Sequence, residues 1–286
     1  MIISQLTGGL GNQMFQYAFG FALSKRLGAE YKLHFVSNLC DSPRVYELDK
    51  FNISATPASA GDLKHLRISQ SKIQLLFQKI HILKSNIRSE GSISFQKSAL
   101  NYLDDSYLQG YWQSELYFPN VSSELRKEFT FKRKLTGKNK SLANHIKNHT
   151  AISVHIRRGD YVDNAKTNIF HGVCGIDYYK MAKQFIGEKV KNPTFYYFSD
   201  DPEWVKQNFK SNWEDQYVDW NVAKNSHIDM QLMSLCNHNI VANSSFSWWS
   251  AWLNSNPKKI IIAPSQWYAN PHIDTSTIVP KDWMKI

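Results

Sequence analysis

The chain has 286 residues, and 42% hydrophobic with 14% aromatic content excludes a disordered polymer and allows two compact domains of ordinary size. Lys and Arg number 34 against 24 Asp and Glu, a formal net charge of +10. Such an excess suits nucleic acid, anionic lipid or a phosphorylated small molecule and does not choose among them.

Met1 runs directly into Ile2-Ile3-Ser4-Gln5-Leu6, which reads as a buried first strand with no signal core before it. Gly8-Gly9-Leu10-Gly11-Asn12-Gln13 follows, and apolar residues at 14, 17, 18, 21 and 22 predict a helix that stops at Gly28. Strand, glycine loop and helix make an anion-binding geometry, because the free N–H groups of a helix start face the loop. The third glycine of a dinucleotide fingerprint is replaced by Met14, and the Gly-Lys-Ser/Thr ending of a Walker loop is absent. A tight packing turn and a ligand contact both remain open for this loop.

Glu30–Val36 reads as a second strand. Leu63 to Ile87 carries a helical pattern, with Ile73, Leu76, Phe77, Ile80, Leu83 and Ile87 on one face. Lys64, Arg67, Lys72, Lys79, Lys84 and Arg88 accompany it, and no acid falls between Asp62 and Glu90. Such a helix either packs into the first domain or lies on an anionic membrane surface. Tyr107–Ser114 reads as a strand entering an aromatic, amide-rich loop of a kind that lines sugar sites or fills cores. A polar, basic stretch around Lys132–Lys147 separates two domains, 1–148 and 149–286.

The second half alternates strand and helix. Strand-like runs are Ala151–Ile156, Thr194–Ser199, Gln216–Asp219, Asn239–Ala242 and Lys259–Ala263, with helix-like runs at Ile176–Val190, Pro202–Phe209, His227–Cys236 and Phe246–Asn254. The alternation predicts a parallel, Rossmann-like α/β sheet. Ligands of such sheets bind beyond the carboxyl ends of the strands. Those ends carry Arg157-Arg158, Ser199-Asp200-Asp201 and Asn243-Ser244-Ser245-Phe246-Ser247, and Gly159 lets the backbone after the arginines approach a ligand. Guanidinium forks suit phosphate oxygens, so the pattern points to a compact phosphate pocket. Trp248, Trp249 and Trp252 follow at helical spacing and are expected in the core. The three cysteines, Cys40, Cys174 and Cys236, are scattered, show no metal-site spacing and are expected as reduced thiols in a cytoplasmic protein. No run of about eighteen apolar residues occurs, so no membrane span is expected.

Gly8–Ala18, the His155-Ile156-Arg157-Arg158-Gly159-Asp160-Tyr161 stretch and Asn243–Trp249 together resemble the α-1,2-fucosyltransferases of glycosyltransferase family 11, along nearly the whole chain. The resemblance implies an α/β, GT-B architecture of two Rossmann-like domains facing a cleft, with residues 1–148 on the acceptor side and 149–286 holding GDP-β-L-fucose. It implies inverting transfer of fucose to the 2-hydroxyl of a terminal galactose, as in surface-glycan synthesis. Some bacterial members use lipid-linked acceptors, which suits a protein at the inner face of a membrane. Arg157 resembles the arginine that grips the β-phosphate, and Ser245 a phosphate-contacting serine. His155 and Asp229 match positions associated with the guanine or its ribose. Gly11 and Asn12 match the loop that approaches the donor.

The expected site is therefore catalytic through Arg157, Asn12 and Asp160, and donor-binding through Gly9, Gly11, Asn12, His155, Arg157, Arg158, Asp200, Asp229, Asn243, Ser244, Ser245 and Phe246. No metal or other cofactor is expected, since Asp200-Asp201 lacks Asp-x-Asp spacing and arginine, hydroxyls and helix starts can take the leaving-group charge. Asp160, Asp163 and His171 are the candidates for the base. Transfer of another GDP-sugar or in another linkage is the alternative. A non-catalytic binder of nucleic acid or anionic glycan would instead need basic residues interleaved with exposed aromatics on one face.

Overall fold

The computed structural model describes residues 1–36, 44–68, 86–159, 162, 165–210, 212–222 and 225–286. The chain divides into two compact units, Met1–Thr130 and Phe131–Ile286.

In the first unit, β1 (Ile2–Leu6), β2 (Tyr31–Phe35), β3 (Thr56–Pro57), β4 (Ile87–Ser89) and β5 (Ser106–Gln109) form a parallel sheet in the order β3-β2-β1-β5-β4. Every residue of β1 is buried, which explains its unbroken apolar start. Helix α1 (Leu10–Leu27) ends where predicted, with Gly28 in the left-handed region (φ 63°) and Lys25 and Arg26 in the last turn. Its buried residues include Phe15 and Phe19 besides the expected Met14, Tyr17, Ala18 and Phe21, so it is enclosed on more than one side.

The long helix predicted from Leu63 to Ile87 is corrected at both ends. Helix α2 (Ala60–His65) starts on a capping box between Ser59 and Asp62, and the chain has left it by Arg67, at φ 58°. Ile87, Arg88 and Ser89 are extended and pair with Tyr107, Leu108 and Gln109. Leu63, Ile68 and Ile87 pack against Ile3, Leu66 and Tyr107. Residues 69–85, with Ile73 to Leu83 and Lys72, Lys79 and Lys84, lie outside the described residues.

In the second unit, β6 (Thr150–Ile156), β7 (Pro193–Ser199), β8 (Glu214–Val218), β9 (His238–Ile240), β10 (Ile261–Ala263) and β11 (Met284–Lys285) form a parallel sheet in the order β11-β10-β9-β6-β7-β8. Helix α3 (Ser122–Glu128) closes the first unit, and the helices of the second are α4 (Gly137–Asn148), α5 (Ala165–His171), α6 (Ile176–Lys189), α7 (Pro202–Asn208), α8 (Ser226–Ser234) and α9 (Ser245–Leu253). Ile152, Val154 and Ile156 of β6 pack with Tyr179, Ala182 and Ile186 of α6, while Ala151 packs with Leu232 and Met233 of α8 and with Ala143 and Ile146 of α4. Both faces of the strand are covered, as its continuous apolar run requires. Trp248, Trp249 and Trp252 are 0%, 0% and 6% exposed, the core role expected of them.

The division between units falls at Thr130–Phe131 and not at 148–149. The reason is α4: despite its basic surface it buries Ala143 and Ile146 in the second core. Among the described residues no helix is long and apolar enough to cross a membrane, and Cys174 and Cys236 are free thiols. Cys40 lies outside the described residues.

Candidate active site

In the second unit, β9, β6 and β7 are adjacent, so their three polar ends are neighbours by topology. At the end of β6, Arg157 Nη1 is 2.8 Å from Asp200 Oδ2, and the Arg158 backbone N–H donates to Asp200 Oδ1 at 2.8 Å. Arg158 Nε donates to Asp201 Oδ2 at 3.1 Å, and its guanidinium lies 3.7 Å above the Trp204 ring. Asp201 also accepts from the Trp204 N–H, and Pro202 occupies the first turn of α7 behind that cap. Gly159 has a close neighbour: a Cβ there would lie 2.6 Å from Asp200 Oδ2.

His155 sits two residues before Arg157 on β6 and is 6% exposed. Burial first, and then the Arg157 charge, push its imidazole down to about 3, so it is neutral at ordinary pH. Among the described residues its Nδ1 has no hydrogen-bond partner, and its ring centroid is 5.5 Å from that of Phe246 at the start of α9. A buried ring nitrogen without a partner costs free energy unless something arrives to use it.

At the end of β9, Asn243 Nδ2 donates to the backbone carbonyls of His171, Gly172 and Trp267, and Cys174 Sγ donates to its Oδ1. Asn243 is therefore a strut that fixes the end of α5, His171 included, to the loop before α9. The Ser244 hydroxyl caps α9 by accepting from the Phe246 N–H. Ser245 is the first residue of that helix.

Asp229 lies in the first turn of α8, where it accepts from Asn221 Nδ2 at 2.7 Å. Burial pushes its carboxyl up to about 7, against the opposing pull of the Asn221 bond. Asn221 exchanges hydrogen bonds with Asn139 of α4, and Asn139 Oδ1 also accepts from Trp220 Nε1. Sequence reasoning missed Asn139, Asn221 and Trp204. Asn139 stands in the polar, basic stretch read as separating two domains, while Trp204 is visible at one helical turn from the Asp201 cap.

The first unit holds its loop differently. Gly8 is at φ +75°, and a Cβ there would lie 2.7 Å from Asn12 Nδ2. Gly9 precedes α1 without any side-chain cap of its own. Asn12 Oδ1 accepts from Gln113 Nε2, Gln13 Nε2 donates to the carbonyls of Gly8 and Val45, and Gln16 bridges the Thr7 N–H to the Gly110 carbonyl. Gly11 is buried. Of the aromatic loop after β5, Trp112 is buried against Phe19 and Tyr117, while Tyr111 is exposed. The Glu90 carboxylate accepts the N–H groups of both Tyr111 and Trp112, a structural role for a residue the sequence reading did not use.

Thus Arg157, Arg158 and Asp200 form one cluster, and His155, Phe246, Ser244, Ser245 and Asn243 occupy the adjoining strand ends. Asp229 belongs to a separate amide network, and Gly9, Gly11 and Asn12 lie in the other unit. Asp160 and Asp163 lie outside the described residues.

The whole chain, residues 2–286, matches the family model described as Glycosyl transferase family 11. An Alpha-1,2-colitosyltransferase of Escherichia coli is 33% identical over 100% of this chain and 99% of its own length. The O-antigen biosynthesis glycosyltransferase WbnK of Escherichia coli is 31% identical over 99% of each chain. Among solved structures, a variant of Arabidopsis thaliana FUT1 in complex with GDP aligns with a TM-score of 0.55 over 99% of this chain and 81% of that one, at 11% identity. The fold is accordingly that of the GT-B fucosyltransferases, and a parallel sheet in each unit is what that architecture requires. With a family match across its length and two full-length relatives above 30% identity, the chain is a glycosyltransferase belonging to glycosyltransferase family 11.

Proposed function

We propose that the protein transfers L-fucose from GDP-β-L-fucose, with inversion, to the 2-hydroxyl of a terminal β-galactoside in a surface glycan. The observation that carries this reading is Arg157 at the end of a central strand, with the buried, neutral His155 two residues before it and the start of α9 beside it. The acceptor oxygen attacks the sugar's anomeric carbon while the bond from that carbon to the β-phosphate oxygen breaks, and the electron pair leaves with GDP. Arg157 and the N-terminal dipole of α9 stabilise the negative charge that accumulates on the leaving phosphate. His155 Nδ1 is suited to the nucleoside because it is a buried polar atom that a base or ribose can satisfy, and the partly buried carboxyl and amide groups of the Asp229 network suit a ribose or base edge. His171, tied through its carbonyl to Asn243, stays a candidate for receiving the acceptor proton, alongside Asp160 and Asp163.

The Escherichia coli relative named for colitose favours one second reading: a GDP-linked 3-deoxy counterpart of fucose as donor. Assaying GDP-fucose and GDP-colitose side by side against a panel of β-galactosides separates the two. The expected outcome is a fucosylated product linked at the galactose 2-position. Transfer of colitose alone would replace the donor assignment, and no transfer of either, with no thermal shift from GDP, would overturn the proposal.

A further inference from the structure

The end of β7 places two acids beside two arginines, and each acid takes one. Asp201 draws Arg158 into a stack on Trp204 and holds its Nε. Asp200 holds Arg157 Nη1 with one oxygen and the Arg158 backbone N–H with the other. That second bond fixes Asp200 to the main chain of the β6 loop, which a loose surface ion pair would not do. The missing side chain at Gly159 completes the fit, because a Cβ there would stand 2.6 Å from the carboxylate. Two strand-end loops are thereby locked to each other through one carboxylate.

We propose that Asp200 is the positioning residue for Arg157, and that Arg158 braces the loop and does not serve as a phosphate ligand. This rests on the transferase function, in which Arg157 meets the leaving phosphate. A carboxylate is a poor neighbour for a bound diphosphate, so Asp200 opposes GDP binding electrostatically. Its benefit is to fix one guanidinium geometry, which matters most when charge builds on the phosphate during bond breaking. Ground-state binding and turnover should therefore respond in opposite directions when its charge is removed.

Asp200→Asn tests this, since an amide oxygen still accepts from the Arg158 N–H. Expected are a loss of kcat on the order of 10- to 100-fold, a GDP Kd by calorimetry equal to or tighter than wild type, and an unchanged melting temperature. Gly159→Ala, which pushes Asp200 aside while leaving its charge, should also lower kcat but without tighter GDP binding. An Asp200→Asn enzyme with wild-type kcat overturns the proposal. So does one whose GDP affinity falls together with kcat, which would make Asp200 a donor contact or a purely structural group. A wild-type protein that fails to bind GDP would instead sink the transferase function itself, before any variant is made.

Discussion

Two helix starts, α1 and α9, each follow a buried parallel strand, yet they meet their solvent-facing ends in opposite ways. Burial raises the carboxyl of Glu47, which accepts the Leu10 N–H at the start of α1 while the Arg44 and Lys50 charges pull the other way. The protein has thus put its own anion where the sequence pattern suggests a phosphate could sit. Around it, Asn12, Gln13 and Gln16 spend their amide groups on neighbouring loops. At α9 the cap is a neutral serine hydroxyl, and the nearby charge comes from arginines at the next strand end. The same strand–loop–helix geometry thus carries a carboxylate in one unit and a neutral hydroxyl cap in the other.

The largest expected difference between the two regions is in turnover. Arg157→Lys keeps a positive charge but loses the planar fork, and should lower kcat/KM by about a hundredfold or more with the fold intact. Asn12→Ala, in the amide-stitched region, removes neutral contacts, the hydrogen bond with Gln113 among them, and should cost no more than about tenfold, neutral bonds of this kind contributing about 1 kcal/mol each. Steady-state rates with melting curves check both. If Asn12→Ala were the more damaging of the pair, the contrast between a charged and a neutral region would be wrong.

That contrast was only partly legible in the sequence. Arg157, Asp200 and Ser244 lie just past apolar runs, and strand ends in a parallel sheet are places where topology alone gathers side chains. The glycine loop stayed ambiguous because its occupant, Glu47, lies over thirty residues away across an irregular stretch with no periodicity to read. The three-residue strand Ile87–Ser89 was masked by the end of a longer helical pattern that took in Ile87, since three residues cannot establish a period of two against apolar spacing that fits 3.6. The partition at Thr130–Phe131 was obscured by α4, whose four Lys and His residues speak louder in composition than its two buried apolar ones.

The second region also carries two oppositely shifted groups, which should appear in the pH dependence of stability. Asp229 is raised to about 7, so between about pH 4 and 7 the folded protein keeps a proton that the unfolded chain has lost, and this contribution falls as pH rises. His155 is lowered to about 3, so between about pH 3 and 6.5 the unfolded chain holds a proton that the folded protein rejects, and this contribution rises with pH. Each slope is at most about 1.4 kcal/mol per pH unit, and they oppose each other between about pH 4 and 6.5. Asp229→Asn should therefore make stability climb more steeply with pH than in the parent, and His155→Gln should make it climb less or decline. Comparing each variant with the parent cancels other groups, Glu47 and Glu90 among them. Denaturant titrations at pH 4.5, 5.5 and 6.5 measure the slopes, and parallel curves for parent and variants would mean that neither group is buried as described.

The smallest expected effect is that of chelation, which should leave turnover unchanged. Many nucleotide-sugar transferases neutralise the diphosphate with a divalent cation, which needs carboxylate oxygens turned toward the phosphates. Here the acids beside the arginine cluster are engaged: Asp200 holds Arg157 and the Arg158 N–H, and Asp201 holds Arg158 and caps α7. A cation arriving between them would have to displace two guanidinium groups and would meet their repulsion on the way. Arg157 and the α9 start already offer positive charge at the same strand ends, so a metal would add a second solution to a problem met by the first. Assays with excess EDTA, and then with Mg²⁺ or Mn²⁺ restored, should give equal rates within error. Loss of activity on chelation that returns with metal would mean that Asp200 and Asp201 release their arginines when the donor binds, and would move both acids from bracing the site to ligating an ion.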